Sequence, residues 1–152
     1  MKTTILIIVI SIIVFAGLIY WSKVLESNDP DIISIKGLHW HPVLEIAVQG
    51  KKVEIPANLG IGQTYKGLPT FNPQMSMTDI HTHDDVSSGI IHLEFTGIVR
   101  KENIQLKNFF RIWGKDINSF GTNPRMTING EPSTLFGEYE MKDGEKIVLN
   151  YE

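Results

Sequence analysis

From Ile5 to Trp21 the chain reads ILIIVISIIVFAGLIYW, with Ser11 its sole polar residue and no charge. As a helix rising about 1.5 Å per residue this run is roughly 26 Å long, near the lower end of what crosses a bilayer core. Thr3 and Thr4 can lengthen it, and Tyr20 and Trp21 stand where interfacial aromatic residues stand. Lys2 lies on one side and Lys23 on the other, a weak asymmetry compatible with a cytoplasmic N-terminus and an exported remainder. A cleaved signal peptide is the alternative, since Ala16 offers a small residue before a cut. The apolar run nevertheless continues through Leu18, Ile19 and Tyr20, beyond the about 7–15 residues of an ordinary signal-peptide core. The expected organisation is an anchor over residues 1–21, a polar tether over 22–30 and an extracytoplasmic domain over 31–152.

The sequence holds no cysteine, which excludes disulfides, thiolate ligands, cysteine nucleophiles and a lipidated cysteine after the anchor. The domain must therefore rest on its core, and about 125 residues suffice for that. The formal charge is −3, with no basic run and no alternation of basic and aromatic residues, so nucleic acid is not an expected partner. The expected partners are the membrane, through the N-terminal helix, and a protein of the cell envelope.

Beyond the tether the pattern is one of short strands. Ile32, Ile33 and Ile35 begin one, VLEIAV (43–48) and VEI (53–55) flank Gln49-Gly50-Lys51-Lys52 as a hairpin, and GIIHLEFT (89–96) is the clearest strand. On that last strand Ile91, Leu93 and Phe95 share one face, and Ile90, His92 and Glu94 share the other. Residues 60–77 are irregular and rich in glycine and proline, as a functional or mobile loop would be. Leu106, Phe109, Phe110 and Trp113, followed by Gly114, predict one amphipathic helix whose aromatic face is core packing. Met126–Ile128 before Asn129-Gly130 predicts a hairpin, and a turn at 141–145 leads to a closing strand over 146–151. The fold class is mainly antiparallel β with one short helix: a small sandwich, an open barrel, or an α+β domain of the β-grasp kind, which the closing strand pair resembles.

All five histidines fall between residues 39 and 92, as His39 and His41 in HWH, His81 and His83 in HTH, and His92 two residues before Glu94. Residues i and i+2 of a strand face the same way, so each pair aims two donors into one space. Neutral imidazole suits Zn²⁺ and Cu²⁺, and the thioethers of Met75 and Met77 favour copper if they join. The candidate ligands are thus His39, His41, His81, His83, His92, Glu94, Met75 and Met77, with copper preferred to zinc. Asp84 and Asp85 are candidates to accept hydrogen bonds from ligand rings and fix their tautomers. The competing reading is a metal-free polar network, in which HTHDD is a solvated loop, the methionines fill gaps and the aspartates cap a turn. Trp40, facing away from its histidine neighbours, is expected in the core, and Glu45 at an exposed strand position.

DIHTHDD resembles the Asp-x-His-x-His opening of amidohydrolase barrels, but the chain is too short for a (β/α)₈ barrel. It is similar also to metallo-β-lactamase and cupin motifs; Val86 and Ser87 stand where a further histidine or glutamate belongs. As a whole, HWH (39–41), IPANLGI (55–61), IHTHD (80–84), GIIHLE (89–94) and FFRIWGK (109–115) resemble a family of uncharacterised prokaryotic proteins with one N-terminal membrane segment. That resemblance implies an exported, membrane-anchored domain and no particular reaction. The expected function is sensing, storage or transfer of a metal ion, without a catalytic residue. The alternatives are a metal-dependent hydrolase or oxidoreductase, with Glu94 or Asp84 as base, and a metal-free interaction module.

Overall fold

The computed structural model describes residues 2–27, 29–84 and 89–152. Helix α1 (Lys2–Ser27) is long and apolar enough to cross a membrane from Lys2 to Leu25, and its apolar side chains are exposed. The expected tether is mostly helix. Ser22, Lys23, Val24 and Leu25 carry no helix breaker, and the helix runs until Pro30 approaches. Asp29 is already fastened to the domain, its Oδ2 accepting from Arg100 Nη1 at 2.6 Å and its Oδ1 from the Asp31 N–H at 3.0 Å. The guanidinium holds the Asp29 carboxyl below the usual range.

In chain order the strands are β1 (Ile32–Ser34), β2 (Leu38–Trp40), β3 (Val43–Val48), β4 (Lys51–Val53), β5 (Phe71–Asn72), β6 (Met77–Thr78), β7 (Ile80–His81), β8 (His92–Phe95), β9 (Val99–Arg100), β10 (Arg125–Ile128), β11 (Glu131–Ser133) and β12 (Lys146–Tyr151). Helix α2 (Leu106–Trp113) lies between β9 and β10 and ends on Gly114 in the left-handed region. The larger sheet has the order β11-β10-β12-β3-β4. Both expected hairpins form, the first with a tighter turn than expected because Lys51 and Lys52 join β4 instead of the loop: Gln49-Gly50 and Asn129-Gly130 all have positive φ, as a two-residue turn matched to strand twist requires. At the centre β12 and β3 run parallel, from Lys146 opposite Val43 to Tyr151 opposite Val48. A parallel pair needs a crossover, here the whole chain between them, including α2. Two hairpins flanking a parallel central pair, with a helix between them in sequence, make a β-grasp-like sheet rather than a sandwich.

A smaller antiparallel sheet, β2-β8-β7, is assembled from a strand ahead of that motif and from the long segment between β4 and α2. One continuous core joins the two: Leu44, Ile46, Met126, Ile147 and Leu149 from the larger sheet, Ile80, Leu93 and Phe95 from the smaller, and Leu106, Phe109, Phe110 and Ile112 from α2. Trp40 and Trp113 pack against it half-buried. Glu45 faces outward and pairs with Lys146 Nζ at 3.0 Å.

The two sheets are laced where β8 approaches β3. Leu44 donates its N–H to Gly89 O at 2.8 Å and Ile91 donates to Pro42 O at 2.9 Å. Gly89 has φ +72°, and a Cβ there would collide with the Leu44 carbonyl. Gly89→Ala is therefore expected to cost at least about 1–2 kcal/mol from the backbone conformation alone, read as a lowered melting temperature of the detergent-solubilised protein.

Candidate metal centre

Period-two alternation builds the site. In the smaller sheet His39 lies opposite Glu94, Trp40 opposite Leu93, Ile80 opposite Leu93 and His81 opposite His92. Leu93 and Ile80 face the core, so His39, His81, His92 and Glu94 face the other way, and His41 and His83 continue the same face one step along. Ring geometry agrees. Centroids are 4.6 Å apart for His39–His41, 4.8 Å for His41–His92, 4.5 Å for His83–His92 and 4.8 Å for His81–His83, while His81 and His92 stack at 5.4 Å. The two HxH pairs therefore meet in space, with His92 between them.

His81 is fully buried and the most constrained of the five. Its Nδ1 faces the Thr78 carbonyl oxygen at 3.0 Å, a contact that only an N–H satisfies, so the neutral ring keeps its lone pair on Nε2. Burial is the main cause that lowers its pKa to about 4, with His83 and His92 adding to the effect against the Thr78 hydrogen bond and Glu94. At neutral pH His81 is thus an uncharged donor. Its Nε2 lies 3.2 Å from His83 Nε2 and 3.9 Å from Glu94 Oε2. Two nitrogens on one tetrahedral ion stand about 3.3–3.4 Å apart when each bond is about 2.0–2.1 Å, so the His81–His83 spacing is already that of a chelate.

The strand carrying this pair is held from behind. Thr82 is buried between the two histidines; its hydroxyl donates to Pro56 O at 2.8 Å and accepts the Leu59 N–H at 3.1 Å, and its own N–H donates to Leu59 O at 3.0 Å. Gly60, at φ +79°, leaves room for Thr78 and Ile80, since a Cβ there would collide with Thr78 Oγ1 and the Ile80 carbonyl. The competing reading of HTHDD as a solvated loop thus fails at His81 and Thr82, where tertiary hydrogen bonds bury the chain. It holds at His83 and Asp84, which are exposed.

Asp84 departs from its expected place. Asp84 Oδ1 accepts from Asn58 Nδ2 at 2.9 Å rather than from a ring, because Asn58 lies on the loop that backs the strand. Asp85 falls outside the described residues. Ring and backbone positioning comes instead from the Thr78 carbonyl and from Asp143, whose Oδ1 takes the His41 N–H at 2.7 Å and lies 3.8 Å from His41 Nδ1. Asp143 reads in sequence as part of a turn, and only the folded chain brings it 102 positions back to the site. Met77 pairs with Asn72 in the β5–β6 ribbon and bridges Ile61, and Met75 lies half-buried in the turn of that ribbon. The ribbon also delivers Thr78, the acceptor for His81. A cavity of about 550 Å³ opens on the far side of β7, lined by Ile80, Arg111 and Ile112 among others and by none of the histidines.

Asp79, half-buried beside this face, has its pKa raised to about 6 by desolvation. Its folded form holds a proton that the unfolded form has lost between about pH 4 and 6, so its contribution to stability is full below pH 4 and is lost as pH rises through 6. His81 has the opposite sign: the unfolded ring binds a proton first, so stability is lost as pH falls from about 6.5 toward 4. Asp79→Asn is expected to raise the melting temperature of metal-free protein at pH 7 but not below about pH 4. His81→Gln is expected to flatten the acid limb of the profile.

Comparison with family models, curated proteins and solved structures gives no match for this chain.

Proposed function

We propose that the protein is a membrane-anchored, extracytoplasmic domain that binds a transition metal ion on its histidine face and holds it or hands it on, copper before zinc. The observation that carries this reading is the pair of Nε2 atoms of His81 and His83, 3.2 Å apart and backed by a buried, tautomer-fixed ring. A ligand pair with one ring preorganised loses little freedom when it binds, which raises its affinity. Neutral nitrogen donors suit both Cu²⁺ and Zn²⁺, and the thioethers of Met75 and Met77 in the adjoining ribbon add a preference for copper if they reach the ion. Glu94, 3.9 Å from His81 Nε2, supplies a negative charge to either ion. Export across the membrane, and membership of the prokaryotic family that the HWH, IPANLGI and IHTHD blocks resemble, belong to the same reading.

A metal-free network has one observation in its favour: the same 3.2 Å contact is a hydrogen bond when His83 Nε2 carries the hydrogen. The two readings separate on titration of Cu²⁺ and Zn²⁺ into the full chain in detergent and into a His81→Ala/His83→Ala variant. Metal binding predicts near-stoichiometric uptake by wild type, a rise in melting temperature on loading, and loss of both in the variant. Background uptake with unchanged melting would leave the network.

A further inference from the structure

The histidines do not form one site of five ligands. They fall into two groups of three with one member in common: His39, His41 and His92, and His81, His83 and His92, the ligand atoms of each group lying within 4.8 Å of one another. We propose that these are two successive positions for a single ion: an outer one that captures it and an inner one that keeps it, with His92 the ligand retained during the passage. The inference rests on the metal-binding reading above and adds a direction and a route to it.

The sheet supplies the route. His92 stands on the central strand, with the HWH strand on one side and the HTH strand on the other, and strands of a sheet are about 4.8 Å apart. Its ring meets His41 edge-on at 4.8 Å and His83 at 4.5 Å, so moving an ion between the flanking pairs takes a shift of about one strand spacing. His92 is the residue common to both groups, and a neutral imidazole offers a single lone-pair nitrogen, so it completes one group at a time. Glu94 lies along the same track, opposite His39 in register and 3.9 Å from His81 Nε2, and keeps a negative charge near the ion throughout.

Burial supplies the direction. His39 is exposed and His41 half-exposed, held through its backbone by Asp143. His81 is fully buried and oriented by Thr78, and its strand is fixed by Thr82. Of the inner group His83 is exposed like His39, so the difference lies at His81: its ordering is already complete, no outer ring is so held, and the inner position is the tighter one. The exchange is balanced without redox change: the ion leaves the lone pairs of His39 and His41 for those of His81 and His83. When His83 Nε2 carries the hydrogen of the 3.2 Å contact, that hydrogen passes through solvent to Nδ1, with no net proton released.

The test uses the full chain in detergent with Cu²⁺ alone as the probe, measuring stoichiometry, affinity and stopped-flow loading. Wild type should bind one ion. His39→Ala/His41→Ala should still bind one, with affinity within about threefold of wild type but loading at least about tenfold slower. His83→Ala, at an exposed position, should bind one ion at least about tenfold more weakly and load as fast as wild type. His92→Ala should impair both affinity and rate. Two ions per wild-type chain, with one lost in each variant, would overturn the proposal in favour of a dinuclear centre. Unchanged loading of the His39/His41 variant would overturn it in favour of a single inner site. Absence of Cu²⁺ binding by wild type would instead remove the metal reading itself.

Discussion

The burial of His81 against the Thr78 carbonyl ties the histidine face to the core of the domain. An imidazole without solvent contact is tolerated when its N–H finds an acceptor and when it stays neutral, and both conditions are met. The acceptor exists because β6 ends where β7 begins, with a bend at Asp79 that sets the Thr78 carbonyl three residues behind the ring it serves. Neutrality follows from the same burial, and a neutral ring with one nitrogen engaged has a lone pair to offer on the other. A structural requirement and a chemical capability are here one arrangement.

The larger sheet makes this affordable. Its parallel centre and α2 form a core that does not include the histidines, and α2 packs against the back of β7. Ile80, Ile91, Leu93 and Phe95 commit the apolar faces of β7 and β8 to that core. Once these residues are inside, alternation leaves His81, His92 and Glu94 no choice of side. A register slip of one residue would bury the polar set and expose the apolar one, so the hydrophobic effect itself fixes the geometry of the histidine face.

Local features were legible in the sequence and long-range ones were not. The alternation of GIIHLEFT, the α2 stripe ending at Gly114 and the Asn129-Gly130 turn each depend on a few neighbouring residues, and each appears as read. The convergence of the two HxH pairs was readable as a possibility, because spacing sets which way each pair points but not where its strand lies. The parallel pairing of β3 with β12 joins residues about a hundred positions apart, and no local pattern distinguishes it from an antiparallel neighbour. Asp143 has the same difficulty, since a turn aspartate close to Gly144 is satisfied as turn chemistry alone. The helical state of residues 22–27 in the expected tether is a local feature that their polarity hides: none of them breaks a helix, and a helix already nucleated by α1 extends at little cost.

The blocks that set this sequence apart acquire a common physical meaning in the folded chain. HWH, HTH and IHLE are the three strands of one small sheet, which is why their histidines lie within ring contact. IPANLGI contributes no ligand, yet Pro56 and Leu59 hold Thr82 through three hydrogen bonds, and Gly60 lets that loop lie flat against Thr78 and Ile80. The FFxxW segment is the helix that packs on β7 from the other side. Histidine-bearing strands, a brace on one side and a core helix on the other are the parts needed to hold the Nε2 atoms of His81 and His83 3.2 Å apart. A solvated histidine pair would need none of this support. The amount of structure spent on immobilising His81 is therefore itself an argument that its position, and not merely its polarity, is what the domain provides.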